Sequence, residues 1–250
     1  MPDPDLSVLM PVYNERATVE RAIEEVLAAD LPVEVELVVV DDGSTDGTSE
    51  LLDSGDWDPR VTVLRHESNR GKGAAVRTAL ERASGRYAAI MDADLEYDPQ
   101  DLAMLLQPLL AGETNAVFGV RAFNGYTSHS FLYVLGNKAV TLACNVLFNV
   151  YIADMMTCQK VIATDVFRSL PLTASGFTIE PEITARLLQA GERIYEIPAA
   201  YRARGHAAGK KLTTRDGFRV LGTLLRCRFN APAAPPRRRV VDAPLPPHRH

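Results

Sequence analysis

AAIMDADLEYD, residues 88–98, is an apolar run that stops abruptly and then sets four acids within seven residues. Its first half belongs to a strand, Tyr87–Met91, that reads as buried on both faces. Like charges at that spacing repel one another, and burial raises the cost. A positive partner, most simply a metal ion, has to compensate. In an extended chain residues two apart point the same way, so Asp92, Asp94 and Glu96 are expected to share a face. Carboxylates on one face suit a hard divalent cation, Mg²⁺ or Mn²⁺, with positions left open for phosphate oxygens.

Working outward, short apolar runs alternate with helical patterns. LSVLMPV (6–12), VELVVV (35–40), VTVLR (61–65) and AVFGV (116–120) read as further strands, as do CQKVIA (158–163) and RIYEIPAAY (193–201). Val19, Ile23, Val26 and Leu27 form one helical stripe, with Asn14 as its expected cap; Ala75, Val76, Ala79 and Leu80 form another. Later helices are expected over 131–152, 181–190 and 214–229. Strands alternating with helices predict an α/β fold, a mainly parallel central sheet with helices on both faces. Residues 1–230 are expected to make a single domain. The remaining 231–250 hold six of the sixteen prolines without periodicity and read as a disordered tail.

The totals exclude several classes. A formal net charge of −5 argues against general nucleic-acid binding, which needs a basic surface. Cys144, Cys158 and Cys227 are widely spaced and odd in number, so neither a disulfide framework nor a zinc spacing emerges, and a cytoplasmic setting is expected. The N-terminus lacks a basic segment followed by a long apolar core, so no signal peptide is expected. No stretch has the uncharged apolar length of a membrane span. The nearest approach, 131–152, is interrupted by Asn137, Lys138, Asn145 and Asn149.

Three early strands end in polar or acidic residues: YNE (13–15), DDGSTDGT (41–48) and DADLE (92–96). In an open parallel sheet those ends share one edge, where ligands bind at the switch point of strand order. Asp46 alone reads as a turn or cap residue. An EF-hand loop counted from Asp92 would need Gly and Glu where Tyr97 and Ala103 stand. A phosphatase with Asp92 as nucleophile also places Asp-x-Asp after an apolar strand, but Glu96 departs from its pattern. NRGKGAA (69–75) is a superficial phosphate loop, with His66 in place of the first glycine.

VLMPVYNE, VVVDDGSTDGT, NRGKGAA, MDADLEYDP and GFTIEPEIT stand in the order seen in family 2 glycosyltransferases with the GT-A (Rossmann-like) fold, and the chain resembles that family over residues 5–229. The segment EIPAAYRARGHAAGKKLTTRDGFR is similar to the subgroup of polyprenyl-phosphate (dolichyl-phosphate) sugar synthases. The resemblance implies that Pro11, Tyr13, Glu15, Val40 and Asp42 hold the nucleoside of a UDP- or GDP-sugar. It places Asp92 and Ala93 beside ribose and diphosphate, and gives the metal to Asp94 and Glu96, although relatives often carry Gln at the latter position. Arg121 would face the phosphates or the acceptor, and Arg204, Lys210 and Lys211 form the basic late loop. It also implies a metal-dependent transfer with inversion at the anomeric carbon.

Two acceptors remain open at this stage. A polyprenyl phosphate is already anionic and needs cations to hold it, for which Arg121, Arg204 and Lys210 are apt. A soluble hydroxyl acceptor would need a positioned carboxylate, with Asp154, Glu180 and Glu182 as candidates. Two of them have a plainer reading: Glu182 meets the dipole of a helix whose first turn holds Pro181, and Asp154 caps a turn. Lys72 either reaches a phosphate or is solvated on the first turn of a helix, and His66 reads as a loop residue. A donor-binding or membrane-docking partner without turnover is the non-enzymatic alternative. The apolar 131–152 helix, and Arg215, Arg219, Arg226 and Arg228 beside Phe218 and Leu225, are compatible with a peripheral position on an anionic membrane.

Overall fold

The computed structural model describes residues 4–121, 131–202 and 214–230. Seven strands, β1 (Leu6–Val12), β2 (Val35–Asp41), β3 (Val61–Arg65), β4 (Tyr87–Ile90), β5 (Ala116–Arg121), β6 (Lys160–Ala163) and β7 (Ile194–Ala199), form one sheet of order β3-β2-β1-β4-β6-β5-β7. β1 pairs parallel with β2 and β4, β2 with β3, and β5 with β7. β6 alone runs antiparallel, between β4 and β5. The α/β architecture, mainly parallel and covered on both faces, is the one the alternating pattern predicts.

The period-2 geometry of the strands sorts the core into two layers. Val8 and Met10 of β1, Leu37 and Val39 of β2 and Ala89 of β4 face one side. There they meet α1 (Val19–Ala28), α2 (Thr48–Ser54) and α4 (Asp101–Leu110), through Ile23, Leu52 and Leu105. Leu9, Val38, Val40, Ala88 and Ile90 face the other side, against Val76, Phe167 and Ile183. These come from α3 (Lys72–Arg82), α6 (Thr164–Ser169) and α7 (Ile179–Ala190). β2 and β4 are therefore apolar at nearly every position because both faces are covered.

α5 (Phe131–Phe148) and α8 (Thr214–Phe229) add a third cluster beside α7, built on Cys144, Ala185, Val220, Leu224 and Cys227 with Met155 and Met156. α5 stops earlier than the expected 152. Asn149 takes a φ of 52°, a left-handed conformation that ends helices. Asn145 then grips the returning chain, accepting the Ile152 N–H at 3.1 Å and donating to its carbonyl at 3.0 Å. No helix among the described residues is long and apolar enough to cross a membrane.

Asn14 does not cap α1, which starts only at Val19. Its φ is 56°, and its side-chain oxygen accepts the Thr45 N–H at 2.8 Å, tying the loop after β1 to the loop after β2.

Candidate active site at the carboxyl edge of the sheet

The strand order reverses between β1 and β4, so the loops that follow these two strands flank a crevice at their carboxyl ends. β4 ends at Ile90, and residues 92–96 form a turn in which Leu95 has φ 60°. The extended geometry expected to align Asp92, Asp94 and Glu96 is therefore absent, and the three acids take separate surroundings. Asp92 Oδ2 accepts from Lys72 Nζ at 2.7 Å, while its buried Oδ1 has no hydrogen-bond partner. Asp94 Oδ1 accepts the Glu96 N–H at 3.1 Å. Glu96 Oε2 is drawn instead to the Tyr201 hydroxyl at 2.7 Å, and its carbonyl accepts from Arg202 N.

Val40 and Ala93, implied to line the nucleoside and diphosphate, bury their side chains in the two core layers and offer no side chain to the edge. Pro11 and Glu15 are half-buried and Tyr13 is exposed, all three at the mouth of the β1 loop. Asp42 spends its carboxylate on the chain itself. Its Oδ1 lies 2.6 Å from His66 Nδ1 and accepts Arg70 N at 2.9 Å, and its Oδ2 accepts Gly71 N at 2.7 Å. It thereby fixes the NRGKG loop, and His66, read from sequence as a loop residue, is a buried member of that network. Gly71 has φ 91°, and a Cβ there would lie 2.4 Å from the Ser175 carbonyl oxygen, so the loop admits no larger residue. Asp46 is the turn residue expected: its Oδ1 accepts Thr48 N at 3.0 Å and its Oδ2 accepts Arg16 N at 3.2 Å.

Lys72 is not solvated. Its ammonium sits between Asp92 and Glu180, 3.0 Å from Glu180 Oε1. Burial opposes its charge, but Asp92 and Glu180 outweigh that cost and raise its pKa well above the lysine range. Glu180 also pairs with Lys160, at 2.5 Å from Oε2. Lys160 escaped the sequence reading, although a lysine heading an otherwise apolar strand was its visible signal.

Two of the three expected general bases are surrounded by hydrogen-bond donors of the chain itself. Asp154, fully buried, accepts Arg121 Nε at 2.7 Å, an Arg121 terminal nitrogen at 2.8 Å, Asn137 Nδ2 at 3.1 Å and Met156 N at 3.2 Å. Glu182, also fully buried, accepts Thr173 N and Oγ1, Ala174 N and Arg226. A carboxylate offers about four lone-pair directions, so neither has one left for a substrate proton. Burial pushes the Asp154 pKa up, but the Arg121 and Asn137 hydrogen bonds and the Arg121 charge hold it below the usual range. Arg121 is correspondingly committed inward, with its guanidinium 5.4 Å from the Tyr201 ring centre. Glu180 remains at the edge as the counter-ion of two lysines.

Arg204, Lys210 and Lys211, together with the proposed tail, lie outside the described residues. The strand end that leads to them is placed: Tyr97 bridges to Tyr201, with ring centres 5.2 Å apart. Among the described residues no three His, Cys, Asp or Glu side chains form a ready-made metal cage. Asp94, with Asp92 and its open Oδ1 in the same turn, instead offers a sparse set of hard oxygen donors. That set fits Mg²⁺ or Mn²⁺, ions commonly held by one or two carboxylates and completed by water and ligand phosphates. Glu96, expected as a second ligand, is turned toward Tyr201.

Residues 7–167 match the family model described as "Glycosyl transferase family 2". The chain belongs to that family. It is a glycosyltransferase, which sets aside the phosphatase and non-enzymatic readings. It is 29% identical to glycosyltransferase AglJ of Haloferax volcanii, over 90% of this chain and 73% of that protein. It is 32% identical to polyprenol monophosphomannose synthase of Mycolicibacterium smegmatis, over 79% of this chain and 77% of the relative. Its fold matches glucosyl-3-phosphoglycerate synthase from Mycobacterium tuberculosis in complex with Mn²⁺, UDP and phosphoglyceric acid. There the TM-score is 0.70 and the identity 24%, over 90% of this chain and 79% of that one. Among the first three curated relatives, the chain spans from 54% to 73% of their length.

Proposed function

We propose that this family 2 glycosyltransferase moves a sugar from a UDP- or GDP-sugar to a polyprenyl phosphate, with inversion at the anomeric carbon. The observation that carries the choice of acceptor is the exhaustion of the candidate bases. Asp154 and Glu182 each accept four hydrogen bonds, and Glu180 is claimed by two lysines. A hydroxyl acceptor needs a carboxylate free to take its proton, whereas a phosphate monoester arrives ionised. The polyprenol monophosphomannose synthase relative supports the same acceptor class.

Asp94 would hold the Mg²⁺ or Mn²⁺. When bound, that ion acts as a Lewis acid that neutralises charge on the departing nucleoside diphosphate. Asp92, oriented by Lys72, would receive a donor hydroxyl, and Tyr13, Pro11 and Glu15 would flank the base. Arg204, Lys210 and Lys211 would bring positive charge to the phosphates from the segment that follows Tyr201. A panel of UDP- and GDP-sugars, incubated with Mn²⁺ and a polyprenyl phosphate, tests the reading. Labelled sugar extracting into organic solvent is the expected result; product that stays in water returns the soluble-acceptor alternative.

The partner surface follows from α5 and α8, which pack side by side. Leu142, Val146, Phe218, Leu225 and Phe229 are exposed, and α8 adds Arg215, Arg219, Arg226 and Arg228 against one acid, Asp216. In a chain of net charge −5, that concentration of arginine beside exposed aromatics fits an anionic bilayer surface, at the cytoplasmic face. Phe218→Ser with Phe229→Ser should weaken binding to vesicles containing phosphatidylserine by roughly tenfold or more. Co-flotation measures it, and equal flotation of variant and wild type would remove this surface from the proposal.

A further inference from the structure

Four charged side chains from four elements form a single line beneath the acid turn: Asp92 after β4, Lys72 heading α3, Glu180 in the first turn of α7 and Lys160 heading β6. Successive members are 2.7, 3.0 and 2.5 Å apart, and the signs alternate. Lys160 is fully buried and Glu180 nearly so. Such a line costs desolvation that well-packed apolar residues of similar volume would not. Its persistence at the ligand edge calls for a reason other than stability.

Two details supply one. Lys72 occupies only Oδ2 of Asp92 and leaves Oδ1 buried without a hydrogen-bond partner. Lys160, at the other end, has no freedom. Its register sets it opposite Ile90, the last residue of β4, and opposite Phe118 of β5. Its ammonium lies 4.8 Å from the Phe118 ring centre and donates to the carbonyls of Met155 and Thr157 as well as to Glu180. A continuous chain of contacts thus runs from the core at Lys160, through Glu180 and Lys72, to a carboxylate with one oxygen to spare.

We propose that Lys160 and Glu180 are positioning residues, which hold Lys72 and through it Asp92 so that Oδ1 is presented to a hydroxyl of the donor. The inference rests on the nucleotide-sugar reading given above. A carboxylate already held in one orientation forms its hydrogen bond without a further ordering cost. Lys72 also offsets the Asp92 charge, so that this anion tolerates a diphosphate nearby.

The test removes the two inner charges separately and together. Lys160→Met and Glu180→Gln each strand a buried charge, and each is expected to lower the melting temperature. Lys160→Met with Glu180→Gln strands none and leaves the Lys72–Asp92 pair in place. Its melting temperature should return toward wild type, while donor KM rises about tenfold and acceptor KM stays unchanged. Lys160→Gln with Glu180→Gln retains an N–H donor for the Met155 and Thr157 carbonyls and serves the same comparison should the methionine pair not fold. Recovered melting together with a wild-type donor KM would overturn the positioning role. Calorimetric binding of UDP and GDP with Mn²⁺ separates the two layers. Wild type that binds neither nucleotide removes the donor reading and this inference with it. Wild type and double variant binding one nucleotide equally removes the positioning role alone.

Discussion

Asp94→Asn should lower turnover by about 10²–10³-fold, the usual cost of losing one electrostatic stabiliser of the reacting charge. The substitution keeps the shape of the side chain and keeps an oxygen to accept the Glu96 N–H, so that hydrogen bond of the turn after β4 is retained. What it removes is the carboxylate charge that a hard divalent cation requires. The melting temperature should therefore stay close to wild type, because a partly exposed substitution away from the core usually changes stability by no more than about 0.5 kcal/mol. Excess chelator on the wild type should reproduce the loss, and Mn²⁺ should restore the wild type but not the variant. Full turnover in chelator, or a variant as active as its parent, would contradict the metal role of Asp94.

The parts of the fold that were legible in the sequence are those governed by local periodicity. Leu37–Val40 and Tyr87–Ile90 are apolar at consecutive positions because helices cover both faces, and that pattern needs no partner to be read. α4 carries Leu102, Leu105, Leu106 and Leu109 at helical spacing, yet it went unassigned. Pro108 lies inside it, a residue that ordinarily breaks a helical pattern. α2 and α6, at seven and six residues, are too short to show a stripe.

The site was legible in composition but not in connectivity. The acids at the ends of β1, β2 and β4 announce a ligand edge, and the strand order brings them together. Which acid stays available depends on donors far along the chain. Glu182 is filled partly by Arg226 from α8, Asp154 by Arg121 from β5, and Asp42 by a loop 28 and 29 residues away. Glu96 is claimed by Tyr201, across more than a hundred positions. A reading of adjacent residues treats all of these as free carboxylates. Lys160 was hidden for the opposite reason: it looks like a strand residue because it is one, and only the burial of Glu180 beside it gives the charge a task.

Asp154→Ala should cost about 3–5 kcal/mol of stability, the penalty for stranding a buried charge whose partner is removed. Arg121 is 6% exposed and directs two nitrogens at Asp154, so its guanidinium would lose both of those charge-assisted hydrogen bonds. For a chain of this size the loss corresponds to a fall in melting temperature of roughly 6–20 °C. Arg121→Met with Asp154→Leu, which removes both charges, should recover much of that fall. The pH dependence gives an independent check. Asp154 has a folded pKa held below its ordinary 3.8, so the stability it contributes is fully present above that unfolded value and is lost as pH falls through the folded one. The stability difference between wild type and Asp154→Asn should accordingly be constant from neutrality to about pH 4–5, and should shrink only at lower pH. Denaturant melts across that range measure it. A difference under 1 kcal/mol at neutral pH would mean that Arg121 finds another anion when Asp154 is lost. A phosphate handled at this end of β5 would then become the better account of the arginine.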